Sequence, residues 1–171
     1  GWEVLLIERR QYPADKLCGE FLSYDGVACL REMELEAELK KRGARPIASV
    51  LVSSEDGTYW QGALPAMGIG ISRRVLDAML ADACRQVGVD VVHGVQVREI
   101  RGGWARGYVA EGRQGEYFSG RLVIGACGQQ GGIFKERDAQ HHGAKLMALK
   151  VQASCGEGPE RIELHGFPGG Y

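Results

Sequence analysis

A short apolar run near the start of the chain, Val4-Leu5-Leu6-Ile7, leads directly into the carboxylate of Glu8. Apolar residues without polar alternation are typical of a strand buried on both faces, as in a parallel α/β sheet. Such a strand needs neighbours in the sheet and a layer on each face. The run therefore predicts a parallel sheet, with Glu8 at the carboxyl end of its strand.

The remaining chain alternates between helical and extended patterns. One helix is predicted with Ser23 or Asp25 as its N-cap and a second after Ser72, because these residues precede apolar residues at helical spacing. The first should turn Val27, Cys29, Leu30, Leu35 and Leu39 inward and end at Gly43, and the second should end at Gly88. Ile47 to Val52 and Tyr59 to Ala63 are predicted to form a hairpin around a turn at Glu55-Asp56-Gly57. Further extended segments are predicted at Val89 to Val92, Arg121 to Ala126, Leu146 to Ala153 and Arg161 to His165, with a three-stranded meander between Val95 and Ser119.

Composition excludes several classes of protein. Lys and Arg (21) nearly balance Asp and Glu (22), so neither a nucleic-acid partner nor a membrane surface is indicated, and no apolar run is long enough to span a bilayer. Five cysteines without paired spacing are typical of reduced thiols in a cytoplasmic protein. The four histidines share no metal-ligand spacing with acids or cysteines, so no metal site is predicted.

Three separated stretches resemble the flavoprotein superfamily that contains p-hydroxybenzoate hydroxylase and the geranylgeranyl reductases. The first runs from Val4 to Glu20 and includes Lys16-Leu17-Cys18-Gly19, which is similar to a motif of the reductase branch. The second is Ile71-Ser72-Arg73-Arg74-Val75-Leu76-Asp77 with the helix and strand that follow, and the third is Leu122 to Gly128. The stretches occur in the family's order and cover most of residues 1–133.

The resemblance implies an α/β fold: an incomplete, Rossmann-like FAD-binding parallel sheet with an antiparallel meander, plus part of a mixed substrate-domain sheet. Residues 1–43 and 72–133 would belong mainly to the FAD-binding domain, and residues 44–71 and 134–171 mainly to the substrate domain. The strand ending at Glu8 should then lie parallel to Val89 to Val92. It should not pair directly with Leu122 to Ala126.

The resemblance also implies roles for individual residues. Glu8 would bind the adenosine ribose of FAD, since a carboxylate can accept hydrogen bonds from both ribose hydroxyls. The other implied cofactor-binding residues are Arg9, Lys16, Arg73, Val97 (through its backbone) and Gly128. Cys18 is the candidate catalytic residue, as a proton donor or substrate contact. The alternatives are a solvated acid at Glu8, an exposed helix-start arginine at Arg73 with Arg74 reaching the cofactor instead, and a packing thiol at Cys18.

The sequence also departs from the family pattern. The glycine fingerprint of a dinucleotide site precedes its ribose-binding acid by about 20 residues, whereas seven residues precede Glu8. Cys127 stands where the family has an acid, and Gly131 where it usually has a serine. We therefore expect the chain to be an internal piece of a longer enzyme.

Three functions are consistent with this pattern. The first is reduction of an apolar, isoprenoid-type C=C bond, the second is oxygenation of an aromatic or polyketide substrate, and the third is an inert fragment. NAD(P)H is the candidate electron donor for both enzymatic functions. Trp60, Tyr59 and Met67 are candidates for an apolar substrate pocket, with ordinary core packing as the more common role of such residues.

Overall fold

The structure, a computed structural model, describes residues 1–128, 147–153, 158 and 160–171 of the 171-residue chain. In chain order its elements are β1 (Leu5–Glu8), β2 (Phe21–Leu22), α1 (Tyr24–Glu32), α2 (Glu36–Lys41), β3 (Arg45–Ser53), β4 (Tyr59–Gly70), α3 (Arg73–Gln86), β5 (Asp90–His93), β6 (Val97–Gly103), β7 (Gly107–Gly112), β8 (Tyr117–Gly120) and β9 (Arg161–His165). They form parallel, antiparallel and mixed sheets, which confirms the predicted α/β class.

The chain divides into two compact units. The first contains Gly1–Tyr12 and Leu80–Met147, and the second contains Pro13–Met79 and Ala148–Tyr171, so the division falls within α3. The assignment of residues 1–43 and 72–133 to a cofactor domain concerns function and stays a prediction.

The first unit contains a parallel pair and a meander. Strand β1 pairs in parallel with β5, with Leu5 beside Asp90 and Glu8 beside His93. This is the neighbour predicted for the opening apolar run. Strands β6, β7 and β8 form the predicted antiparallel meander. Glu8 and the start of the meander are thereby brought to one end of the parallel pair, where the Val95 N–H donates to the Glu8 carbonyl (3.3 Å).

The second unit is built on a four-stranded sheet in the order β2-β4-β3-β9. Strands β3 and β4 form the predicted hairpin, and β9 pairs in parallel with β3. Helix α1 contacts β4, and its Val27 and Leu30 are buried as predicted. Ser72 immediately precedes α3 and caps it as predicted, with its Oγ accepting a hydrogen bond from the Arg74 N–H (3.1 Å).

The C-terminal ends of α1, α2 and α3 are each followed by a residue with a left-handed backbone conformation. Gly43 and Gly88, both with φ of 85°, follow α2 and α3 as predicted. The predicted single helix from Ser23 to Gly43 is wrong, because α1 ends at Glu32 and α2 begins at Glu36. Between them Glu34 has φ of 60°, and Leu35 N bonds to the Leu30 carbonyl (2.9 Å), which closes α1 in the manner usual for a glycine. No glycine marks this break, so the sequence gives no signal for it.

Two predicted strands are absent from the described residues. Arg121 to Ala126 is not a strand, and residues 147–153 are not a strand either, while Leu146 lies outside the described residues. An extended segment becomes a strand only when a neighbour satisfies its backbone N–H and C=O groups. The described part of the chain supplies no such neighbour for these segments, and Leu122 and Ile124 are exposed. Accordingly β1 and Leu122 to Ala126 do not pair, as expected.

Side-chain burial corrects other predictions. Cys29 is exposed although a core position was predicted for it, because α1 buries the face that carries Val27 and Leu30. Tyr59, Trp60 and Met67 are all more than half exposed, so their interpretation as ordinary core is wrong. Among the described helices, none is long and apolar enough to cross a membrane.

Candidate cofactor-binding site

Glu8 ends β1 with its carboxylate held by the loop that follows. Its Oε1 accepts a hydrogen bond from the Arg10 N–H (2.9 Å), and its Oε2 accepts one from the Tyr12 hydroxyl (2.8 Å). The side chain is half-buried rather than fully solvated. The strand and the loop therefore present an oriented acceptor group at the carboxyl end of a parallel strand pair.

His93, which ends β5, supports the same loop from the neighbouring strand. Its Nδ1 lies 3.1 Å from the Arg10 carbonyl, and its Nε2 lies 2.6 Å from an Arg85 guanidinium nitrogen. Since a carbonyl only accepts and a guanidinium only donates, this pattern fits a neutral ring with the proton on Nδ1. The ring also makes an edge contact with Tyr12, with centroids 5.1 Å apart. His93 thus orders the loop that orients Glu8.

A cavity of about 260 Å³ lies beside this loop. It is close to the lower end of the roughly 300–1,000 Å³ typical of small-molecule pockets. Its lining carries three guanidinium groups, two carboxamides and one carboxylate, from Arg9, Arg10, Gly94, Gln96, Arg113, Gln114 and Glu116. The lining is therefore rich in hydrogen-bond donors and net positive.

The other predicted residues of this unit occupy different positions. Arg9 lines the cavity. Val97 begins β6, half-buried, and pairs with Gly112 of β7, next to the cavity-lining Gln96. Gly128 is exposed and has φ of 70°, a backbone conformation that favours glycine. Cys127 is also exposed, whereas Gly131 lies outside the described residues.

In the second unit, Asp77 binds two predicted cofactor-binding cations. The Arg73 guanidinium donates to both of its oxygens (2.9 and 3.0 Å), and the Lys16 ammonium lies 2.8 Å from Oδ2. Burial acts to raise the pKa of Asp77, but the hydrogen bonds from Arg73 and Lys16 outweigh it, and the pKa lies below its ordinary value. Lys16 and Arg73 are thus brought together by an acid that sequence reasoning did not assign to the site.

Cys18 lies in the loop between Lys16 and Glu20. Its Sγ accepts a hydrogen bond from the Glu20 N–H (3.4 Å). The Sγ also interacts with the Arg73 guanidinium. The pKa of Arg73 is raised mainly by its hydrogen bond to Asp77, and the interaction with Cys18 adds to this rise. The loop therefore brings Lys16, Cys18 and Arg73 into one cluster. This juxtaposition is a finding, and the catalytic role of Cys18 stays a prediction.

We expect Asp77→Asn to destabilise the chain at neutral pH by about 1–2 kcal/mol, because Arg73 and Lys16 would lose their shared counter-ion. The cost stays moderate because both cations are partly exposed to water. Because the folded-state pKa of Asp77 is lowered, its contribution is complete above the unfolded value of about 3.9 and disappears as the pH falls through the folded value. Melting temperatures of the wild type and the variant should therefore converge in acid. Asp82→Asn, which alters an exposed ion pair on the same helix, is the control. An Asp77→Asn deficit that persists undiminished in strong acid would contradict the assignment.

Sequence reasoning missed several residues of these two clusters. Glu20 and Asp77 lie within the stretches that carry the family resemblance, so the signal was present but was not used. Gln96 and Arg113 come together because the Arg113 N–H donates to the Gln96 carbonyl (2.9 Å), a contact that only the meander register creates. Lys150 reaches Glu20 from a segment that was expected to be a strand.

No group of three potential metal-ligating side chains occurs among the residues that the structure describes. No protein-family model matches the chain, and no curated protein matches its sequence.

Solved structures do match the fold. Halogenase PltM superposes with a TM-score of 0.67 at 13% identity, over 80% of this chain and 32% of its own. The protein pqsL of Pseudomonas aeruginosa, described as a probable FAD-dependent monooxygenase, gives 0.59 at 16% identity, over 74% and 36%. The myxobacterial chondrochloren halogenase CndH, a variant of FAD-dependent halogenases, gives 0.56 at 22% identity, over 68% and 29%.

The chain spans about a third of the length of these structures. The resemblance inferred from the sequence is confirmed at the level of the fold: the chain has a fold similar to part of these structures, which include a probable FAD-dependent monooxygenase and halogenases.

Proposed function

We propose that the chain is the adenosine-binding part of an FAD-dependent oxidoreductase. The observation that carries this proposal is the position of Glu8, a half-buried carboxylate at the carboxyl end of β1, oriented by Arg10 and Tyr12. Ligands of open α/β sheets bind outside the carboxyl ends of the strands, and an acid there accepts hydrogen bonds from ribose hydroxyls.

The residues present fit FAD in their chemistry. A carboxylate is an acceptor with about four lone-pair directions, so Glu8 can serve hydroxyl donors in addition to its loop contacts. The cavity beside it offers the carboxamide and guanidinium groups of Gln96, Arg9 and Arg113, which suit a purine ring and nearby phosphates. Arg9 and the Val97 backbone are proposed to contact the adenosine part. Gly128 is proposed as a close backbone contact.

Lys16, Cys18 and Arg73 are proposed to act at the flavin part of the cofactor. Asp77 holds Arg73 in a fixed orientation through two hydrogen bonds, and it neutralises part of the charge of Lys16. Cys18 would hold or donate a proton at its Sγ beside the Arg73 guanidinium. When bound, FAD supplies the redox chemistry, and these side chains supply position and charge.

The oxygen-using activity is the better supported reaction class. The structural neighbours include proteins described as a monooxygenase and as halogenases, and one PqsL structure contains 2-aminobenzoylacetate, an aromatic compound. An aromatic substrate and an NAD(P)H donor are therefore proposed. Reduction of an apolar C=C bond is the second candidate, because the Lys16-Leu17-Cys18-Gly19 motif resembles the reductase branch. Substrate-dependent oxygen consumption would support the first candidate, and substrate reduction without oxygen would support the second.

A comparison of FAD with FMN tests the adenosine site directly. FMN contains the flavin but no adenosine, so the proposal predicts that the purified protein retains FAD and binds it at least about 100-fold more tightly than FMN, which corresponds to about 2.7 kcal/mol. The measurement is a titration of each flavin followed by its fluorescence. Equal affinity for the two flavins, or no flavin binding, would contradict the proposal.

A further inference from the structure

Glu20 accepts hydrogen bonds from three residues in two separate segments of the second unit. Its carboxylate accepts from the Lys150 ammonium, from the Gln152 side-chain amide at 3.2 Å to each oxygen, and from the Arg73 backbone N–H at 3.2 Å. Burial acts to raise the pKa of Glu20, but the Lys150, Gln152 and Arg73 hydrogen bonds outweigh it and leave the pKa low. The side chain is therefore a charged acceptor shared by the start of α3 and the segment 147–153.

The Glu20 backbone is also tightly specified. Glu20 has φ of 59°, in the left-handed region that residues with a side chain rarely adopt. Its carbonyl accepts a hydrogen bond from Ile71 N (2.9 Å), and its N–H donates to Cys18 Sγ (3.4 Å). Unfavourable backbone conformations persist where several surrounding contacts stabilise them, and they cluster at functional sites. The backbone and side-chain hydrogen bonds of Glu20 provide such contacts.

Lys150 closes the loop that carries Cys18. Its ammonium binds the Glu20 carboxylate at one end of the loop and the Lys16 carbonyl at the other end (3.3 Å). The Lys150 side chain is only 17% exposed, so this contact is shielded from solvent compared with an ordinary surface pair. One ammonium group thus bridges both ends of the loop Lys16–Glu20.

We infer that Glu20 and Lys150 are positioning residues that hold the loop Lys16–Glu20, and with it the Cys18 thiol, in place for the reaction. The inference rests on the proposed function for the role of Cys18. The contacts of Glu20 and Lys150 with the loop are present whatever the role of Cys18. Loss of either partner should release the loop and expose the thiol without removing any group from Cys18 itself.

The test is the rate at which a disulfide reagent, 5,5′-dithiobis(2-nitrobenzoate), modifies Cys18. Serines replace Cys29, Cys84, Cys127 and Cys155 in the full chain, so that the reagent reports on Cys18 only. Glu20→Gln and Lys150→Met should each raise the rate about tenfold. The double variant should be about as fast as the faster single one, because each change breaks the ion pair between Glu20 and Lys150 that joins the two ends of the loop. Rates within about twofold of the parent for both singles, or a double variant that multiplies the two effects, would overturn the inference.

Two controls separate positioning from general destabilisation. Glu163→Gln removes a charge from an exposed pair on β9 of the same unit and should leave the rate unchanged. Met79→Ala weakens the core without removing any of the hydrogen-bonding groups that hold the loop, and it should also leave the rate unchanged well below its melting temperature. A Met79→Ala rate that rises as much as that of Glu20→Gln would assign Glu20 a merely structural role. Because the thiol assay needs no flavin, its failure is distinguishable from failure of FAD binding.

Discussion

Glu8→Gln is expected to weaken FAD binding by about 100-fold. The amide keeps the size of the side chain but replaces one acceptor oxygen with a donor, so it cannot accept from both ribose hydroxyls. Hydrogen bonds to charged groups contribute about 1.5–3 kcal/mol each, and losing about 2.7 kcal/mol corresponds to a factor of 100. The variant also changes the contact with Tyr12. The Tyr12 hydroxyl donates a hydrogen bond to the Glu8 carboxylate, but it can donate to the oxygen of the new amide or accept from its nitrogen. Isothermal titration calorimetry with FAD measures this loss of affinity.

The matched control for Glu8 is Glu3→Gln, which makes the same chemical change at an exposed position before the other end of β1. Its FAD affinity should equal that of the wild type. FMN affinity should be the same in all three proteins, since FMN lacks the adenosine that Glu8 is proposed to bind. An equal loss of FAD and FMN affinity in Glu8→Gln would indicate a damaged fold rather than a lost ribose contact.

Met79→Ala is expected to lower the free energy of unfolding by about 2–5 kcal/mol. Met79 lies on α3 and is the largest fully buried side chain among the residues that the structure describes, with 1% exposure. Removing its thioether leaves a cavity that a close-packed interior only partly refills, and large-to-small core substitutions cost this much. Urea unfolding followed by far-ultraviolet circular dichroism measures the difference.

Met147→Ala provides the comparison for Met79. Met147 is 97% exposed, and surface substitutions usually change the stability by no more than about 0.5 kcal/mol. Similar unfolding midpoints for Met79→Ala and the wild type would show that α3 does not pack in the core as described.

The parts of the fold that the sequence predicted are those governed by local chemistry. The hairpin of β3 and β4 follows from alternation around the Asp56-Gly57 turn, and the end of α3 follows from Gly88. The β1–β5 pairing was predictable because unalternated apolar strands indicate a parallel sheet. The break at Glu34 was not, since Glu34 adopts a left-handed backbone (φ of 60°) although glutamate favours right-handed helix.

The candidate site divides in the same way. Glu8 could be chosen as a candidate because it is an acid at the end of a strand that the sequence predicts. Cys18 and Arg73 could be chosen because they lie in motifs that resemble those of the flavoprotein superfamily. Glu20 and Lys150 are 130 residues apart, and no sequence pattern links a lysine in an irregular segment to that acid. The apolar run at Leu122 to Ala126 was wrongly predicted to be a strand. An apolar sequence favours a buried strand, but the strand forms only where a neighbouring strand pairs with its backbone.

A crystal structure of the protein with FAD bound tests whether Glu8 binds the adenosine ribose. We predict that the ribose hydroxyls lie within hydrogen-bonding distance of the Glu8 carboxylate, about 2.5–3.0 Å between oxygens. Adenosine bound away from the carboxyl end of β1, with Glu8 facing solvent, would contradict it.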